Sequence, residues 1–159
     1  MTVLIRKAGP LDTRPMAELL NQIIEIGGTT AYTEPVTGEG LAQKMARYPQ
    51  GAAWHIAEDE QGNLLGFQWI APNPWLPPEA VDIATFVRVG QTGLGVGSAL
   101  FDRSKASAQG FGYRWINASI RADNTGGLAY YQSRGFEDWS STSGQGQGFA
   151  KVHKRFDLD

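Results

Sequence analysis

Three glycines in five residues, Gly93, Gly95 and Gly97, stand where a stretch that reads as a strand meets one that reads as a helix. This junction limits what the chain can fold into more than any other feature. Residues 82–89 are rich in β-branched and apolar residues, and Leu100, Phe101 and Ala108 follow the glycines on one helical face. The physics of such a junction is that of an anion site. The first N–H groups of a helix lack an intrahelical partner, and glycines remove the side chains that would keep a phosphate away from them. A chain that needs only a tight strand-to-helix turn would use the same residues, so the context has to decide.

Two common phosphate-binding patterns do not fit. The dinucleotide fingerprint is G-x-G-x-x-G early in a parallel sheet, with an acidic residue at the end of the next strand, whereas this chain has G-x-G-x-G after several strands. A P-loop requires a lysine directly after its glycines, and here Ser98 and Ala99 follow.

Around the loop the pattern predicts the order β-α-α-β-β-β-α-β-α-β-β. Residues 3–8 read as a strand, and an amphipathic helix follows Asp12 or Thr13 and ends at Gly27 and Gly28. Thr37 caps a second helix that stops before Pro49. Residues 52–58 and 64–70 flank a turn-forming run and read as a hairpin, and the prolines at 72–78 make a loop, since proline lacks the ladder donor. After the glycine loop come a helix ending at Gly110 or Gly112, a strand at 115–120, and a helix from Asn124 to Arg134 with Gly135 as its left-handed cap. Strands at 136–141 and 149–156 complete the chain. Hairpins and crossovers together predict an α/β (α+β) fold, a mixed sheet of about seven strands with helices on both faces. Neither a repeat nor a linker interrupts it, so one domain over 1–159 is expected.

Composition narrows the function. A net charge of -2 and the lack of any basic run argue against nucleic acid as the main partner. There is no cysteine, which excludes disulfides, thiolate metal sites and a cysteine nucleophile. The two histidines, His55 and His153, are too far apart in sequence for a helical zinc pair, so no metal is expected, and both read as sheet-surface residues. The first residues form no apolar segment long enough to cross a membrane, and a cytoplasmic location is expected.

From Thr85 to Phe136 the chain resembles the cofactor-binding segment of the GNAT superfamily of N-acyltransferases, whose loop reads R/Q-x-x-G-x-G/A. Gly95 and Gly97 fill the glycine positions and Val87 falls on the strand valine; Thr92 stands where the family has Arg or Gln, with Gln91 one place earlier. Asn124 and Tyr131, followed by Gly135 and Phe136, resemble the family's N-x-x-(small)-x-x-x-Y-x-x-x-G-F helix. The resemblance implies acetyl-CoA as cosubstrate and a small-molecule amine as acceptor. Val87 and Val89 would hold pantetheine through their backbone. Thr92, Gly93, Gly95, Gly97 and Ser98 would hold the pyrophosphate, and Asn124 would meet the pantetheine arm. Family members often dimerise, so a homodimer is a further expectation.

Acyl transfer to an amine needs a neutral nucleophile, a polarised thioester and a proton for the leaving thiolate. Tyr131 is the candidate acid, because a phenol stays protonated at neutral pH; it also suits a purely packing role beside Tyr130. Asn124 is equally an N-cap. Two carboxylates compete for the base. Asp82 precedes the glycine loop on its strand, and Glu34 sits in a Thr-Glu-Pro segment similar to that of the phosphinothricin acetyltransferase branch, whose members acetylate small amino acids and their analogues. That branch's basic and aromatic residues before the cofactor strand have no match. Trp69 and Trp75 suit either an acceptor pocket or a core. A non-catalytic acyl-CoA sensor and a protein-modifying acetyltransferase stand as alternatives.

Overall fold

The structure, a computed structural model, describes residues 2–91, 95–144 and 148–158. Its elements are β1 (Leu4–Lys7), α1 (Thr13–Ile26), α2 (Gly38–Ala46), β2 (Ala53–Glu58), β3 (Leu64–Ala71), β4 (Ala80–Val87), α3 (Val96–Phe111), β5 (Trp115–Arg121), α4 (Thr125–Ser133), β6 (Glu137–Thr142) and β7 (Lys151–Asp157). The seven strands form one sheet in the order β1-β2-β3-β4-β5-β7-β6, and every neighbouring pair is antiparallel except β4 and β5. Element order, strand number and the mixed sheet agree with the sequence reading.

The boundaries follow local chemistry. Thr37 accepts the Gly40 N–H at 2.9 Å and starts α2, and Gly27 ends α1 at a φ of 79°. Gly112, not Gly110, is the left-handed cap of α3. β4 begins and ends two residues before the span 82–89, because the chain turns at Arg88, where the Gln91 N–H bonds the Arg88 carbonyl and Gly90 adopts a φ of 88°. Val89 therefore leaves the strand.

Two faces with different partners result from the period-2 alternation. On one, Trp54 and Ile56 of β2, Phe67 and Trp69 of β3 and Phe86 of β4 pack against Met16, Leu19, Leu20 and Ile23 of α1 and Leu41 of α2. On the other, Val81 and Ile83 of β4 and Ile116, Ala118 and Ile120 of β5 pack against Phe101 and Ala108 of α3 and Tyr131 of α4. The α1 face changes character at β4. Asp82 pairs with Asn117, Asn117 with Arg155, Ser119 with His153 and Arg121 with Lys151, which lays a polar field over β5 and β7.

Candidate active site

The parallel pair creates a cleft. β4 and β5 are paired only from Ala80–Trp115 to Ile83–Ala118, although β4 continues to Val87 and β5 to Arg121. Beyond Ile83 the strands separate around a cavity of about 1100 Å³. Residues 82–87 of β4, with Val89 and Gly90, form one wall, and Ser119, Ile120 and Arg121 of β5 form the other. Asn124, Tyr130 and Tyr131 line the α4 side, and Thr29, Thr30 and Tyr32 after α1 close one end.

The β3 ladder decides which backbone groups face this gap. The Arg88 N–H donates to the Leu65 carbonyl at 2.8 Å, so Arg88 and Phe86 direct their backbone groups to β3. Antiparallel alternation turns those of Thr85 and Val87 toward the gap, above the last β5 pair. A ligand chain carrying amides can pair with them as a strand would.

At the mouth of the cleft stands the first turn of α3. Gly95 caps it at a φ of 78°, a left-handed conformation that favours glycine, and the following amides have no helical acceptor. Gly97 is needed for a second reason. A Cβ there would lie 2.6 Å from the ring of Tyr130, whose hydroxyl donates to the Gly97 carbonyl at 2.7 Å. Ser98 accepts from Arg134 Nη1 at 2.6 Å, and the buried Arg134 Nε has no partner among the described residues. Arg134 thus brings a positive charge to a loop that lacks the expected Arg or Gln. Thr92 and Gly93 lie outside the described residues.

Tyr131 and its neighbour have different engagements. Tyr131 is 7% exposed, and its hydroxyl lies 2.7 Å from Thr85 Oγ1. Gln68 Nε2 donates to that same Thr85 oxygen at 2.8 Å, which leaves Thr85 Oγ1 able either to donate to the Tyr131 hydroxyl or to accept from it. Burial pushes the Tyr131 pKa well up, and Tyr130 and Asp82 nearby add to the shift, which keeps the phenol protonated.

Asp82 is the half-buried acid of the cleft. Asn117 Nδ2 donates to its Oδ1 at 2.9 Å and Asn73 Nδ2 to its Oδ2 at 3.2 Å. Trp139 Nε1 donates to Asn117 Oδ1 at 2.9 Å and thereby fixes which way that amide faces. Burial raises the Asp82 pKa, and the two asparagines and Lys151 only partly oppose it. Asn117 Nδ2 also donates to Ser119 Oγ at 3.0 Å, and Ser119 Oγ shares a hydrogen bond with His153 Nδ1, 2.7 Å away, whose direction follows the His153 tautomer. His153 Nε2 then meets Thr142 Oγ1. The two histidines are not sheet-surface residues: His55 is 2% exposed and His153 4%. Trp75, from the proline-rich loop, covers His153 with ring centroids 4.6 Å apart.

Of the residues singled out in the sequence, Tyr131, Asp82, Val87, Val89, Gly97 and Asn124 come together around the cleft, with Gly95 and Ser98 beside them in the α3 turn. Asn124 acts as an N-cap, its Oδ1 accepting the Gly127 N–H at 3.0 Å, while its Nδ2 reaches the Thr29 carbonyl at 3.2 Å. Glu34 is exposed and lies outside the cleft wall. Trp69 lines the cleft from the core, whereas Trp75 does not line it. The sequence reading missed Thr85, Gln68, Asn117, Lys151 and Arg134. For Asn117 a signal existed: Asn117, Ser119 and Arg121 alternate with Ile116, Ala118 and Ile120, so one face of β5 is polar.

A sheet opened at a parallel pair, with free strand amides and a glycine-capped helix start at its mouth, is the architecture of an acyl-CoA-dependent N-acyltransferase. The model of the acetyltransferase (GNAT) family matches residues 17–136, and the chain belongs to that family. The Bacillus subtilis (strain 168) protein YwnH is 28% identical over 158 residues, covering 97% of this chain and 94% of its own. An L-methionine sulfoximine/L-methionine sulfone acetyltransferase of Pseudomonas aeruginosa is 28% identical over 159 residues, covering 95% and 90%. Among solved structures, a GNAT superfamily phosphinothricin acetyltransferase of Sinorhizobium meliloti in complex with acetyl-CoA superposes with a TM-score of 0.87 at 21% identity, covering 99% of this chain and 89% of that one. The chain is an acyl-CoA-dependent N-acetyltransferase with acetyl-CoA as its cosubstrate. No described helix is long and apolar enough to cross a membrane, and the described residues hold no group of three or more acidic or histidine side chains suited to a metal ion.

Proposed function

We propose that this enzyme acetylates the amine of a small amino acid or amino-acid analogue by direct transfer within a ternary complex. Asp82 is the base and Tyr131 the acid. The observation that carries this reading is one half-buried carboxylate and one buried phenol lining the same cleft, each held by hydrogen bonds of its own. The named substrates of the Pseudomonas aeruginosa relative, methionine sulfoximine and methionine sulfone, support the acceptor class.

Pantetheine lies along the free edge of β4, paired with Thr85 and Val87 and passing Val89 and Asn124. The pyrophosphate rests on the α3 turn at Gly95, Gly97 and Ser98, with Arg134 supplying the cation, and Thr92 and Gly93 directly precede these residues in sequence. The amine enters from the α1 face and gives a proton to Asp82, whose raised pKa makes it a stronger base than a solvated carboxylate. As the C–N bond forms and the C–S bond breaks, Tyr131 protonates the departing thiolate, and solvent resets both groups. The chain has no cysteine to carry an acyl intermediate, which favours direct transfer. Glu34, exposed and off the cleft wall, takes no step. Reduced cytosol and acetyl-CoA supply suit a cysteine-free chain, and we place the reaction there. Edge strand β6, exposed along all six residues, offers a second copy a pairing surface for a homodimer.

The test is thiol release from acetyl-CoA with amino acids, methionine sulfone, phosphinothricin, polyamines and aminoglycosides as acceptors. Turnover on amino-acid acceptors, lost in Asp82→Asn and strongly reduced in Tyr131→Phe, is expected. Acetyl-CoA binding without turnover of any amine would make the chain a sensor and overturn the proposal.

A further inference from the structure

The cleft wall carries one acid, Asp82, and three cations, Lys44, Arg121 and Lys151. Their engagements differ. Arg121 donates to Asp123 through Nε and Nη2 at 2.9 and 2.8 Å, and to the Thr30 carbonyl through Nη1 at 3.1 Å. Its guanidinium also lies 3.8 Å from the ring centroid of Phe149. Lys44 sits over the Trp69 ring at 5.3 Å. Lys151, the cross-strand partner of Arg121, has no hydrogen bond, ion pair or ring contact among the described residues.

Its place in the sheet removes it from the cofactor's phosphates. Lys151 shares a face with Asp82, Asn117, Ser119 and His153, the face packed by α1, whereas the α3 turn lies on the other. Along β5, the partner of Lys151 is four residues beyond that of Asp82, roughly 13 Å of strand. Two lateral strand steps of about 4.8 Å separate β4 from β7. Both side chains line the intervening cleft, so a carboxylate and an unpaired ammonium face the same space from opposite sides.

We propose that Lys151 anchors the acceptor's carboxylate, making this a site for zwitterionic α-amino acids and their analogues in preference to simple amines. The inference rests on the reading of Asp82 as the base. A zwitterion presents an amine and a carboxylate two bonds apart, and the site presents their complements in the same order. Lys151 acts on the Asp82 carboxylate only through space and makes no salt bridge with it among the described residues, so pairing with the acceptor breaks no existing direct ion pair. With Arg121 paired to Asp123, Lys44 and Lys151 still outweigh Asp82 on the cleft wall, which disfavours polyamines and aminoglycosides, which bring only positive charge.

Steady-state kinetics on wild type, Lys151→Met and Lys151→Arg would compare L-methionine sulfone with 3-(methylsulfonyl)propylamine, its decarboxylated counterpart. Wild type is expected to prefer the amino acid, and Lys151→Met to raise KM for it by about tenfold or more with kcat within a few-fold. KM for the decarboxylated amine stays unchanged, and Lys151→Arg recovers part of the loss. Calorimetric titration of the amino acid into each protein with coenzyme A gives a readout independent of turnover, and Lys151→Met should weaken that binding likewise. Unchanged KM and binding in Lys151→Met, with wild type active, overturn the anchor alone. An equal rise in KM for both acceptors, or a wild-type preference for the decarboxylated amine, does the same. Absence of both turnover and binding of any amino acid overturns the anchor together with the reading of Asp82.

Discussion

One face of the sheet is built two ways. From β2 to β4 it carries Trp54, Ile56, Phe67, Trp69 and Phe86, sealed under α1 and α2. From Asp82 across β5 and β7 it carries Asn117, Ser119, His153 and Lys151, and the apolar cluster beneath α1 and α2 draws none of its buried residues from those strands. The apolar half gains stability by excluding water. The polar half retains a desolvated carboxylate, which opposes folding and raises basicity. Stability and chemistry are thus assigned to neighbouring strands, and the boundary falls at β4, the strand that borders the cleft.

Substitutions on the two sides should separate accordingly. Phe67→Ala, at a fully buried site on the apolar side, should destabilise by roughly 3–5 kcal/mol in thermal or urea unfolding. A loss below about 1 kcal/mol would mean that this half is not the structural one. Asp82→Asn should do the reverse. It removes a base, with a fall in kcat of about 100-fold or more, yet it should melt at or above wild type at neutral pH. The sign follows from the raised native pKa: the ionised Asp82 costs stability above that pKa, and the cost disappears as pH falls through it. The two melting curves should therefore converge on acidification. A clear drop in melting temperature for Asp82→Asn at neutral pH would show that the network is structural first.

Smaller effects sharpen the division. Tyr131→Phe keeps the ring packed against Phe136 and removes the proton donor together with its hydrogen bond to Thr85, so kcat should fall about 10- to 100-fold while stability falls by only about 1 kcal/mol. His55 lies buried on the α3 face, its Nδ1 without a hydrogen-bond partner among the described residues, and burial with Arg103 and Lys7 nearby lowers its pKa to about 4. A base with a lowered native pKa stabilises fully above its unfolded value near 6.5 and loses that contribution as pH falls toward 4. Urea unfolding across this window should show the decline, up to about 3 kcal/mol, and His55→Leu should flatten it. Arg134→Gln should raise KM for acetyl-CoA a few-fold and leave KM for the amine unchanged, since the guanidinium stands at the α3 turn.

Much of the fold was legible because its instructions are local: glycines at 27, 95, 112 and 135 mark turns and caps, and hydrophobic periodicity marks the faces between them. Only the strand ends shifted, as at Val89. The site was legible in part. Tyr131, Asp82 and the glycine loop sit in short recognisable strings, but the partners that orient them come from distant positions. Asn117 is 35 residues from Asp82, and Thr85 is 46 from Tyr131. Strand pairing creates those contacts, and no spacing along one strand foretells them. His153 was misread for the same reason: its strand alternates normally, and it is buried because Trp75 folds over it from a loop far away in the chain. Gly97 combined two demands that sequence cannot separate, room for an anion and room for the Tyr130 ring.

The most direct test of the account is a crystal structure of the dead-end complex with coenzyme A and L-methionine sulfone. The account predicts the amine nitrogen within roughly 2.6–3.2 Å of an Asp82 oxygen and the coenzyme sulfur within reach of the Tyr131 hydroxyl, between β4 and β5. An acceptor bound away from β5 and β7, with its amine facing Glu34 or solvent, would contradict it.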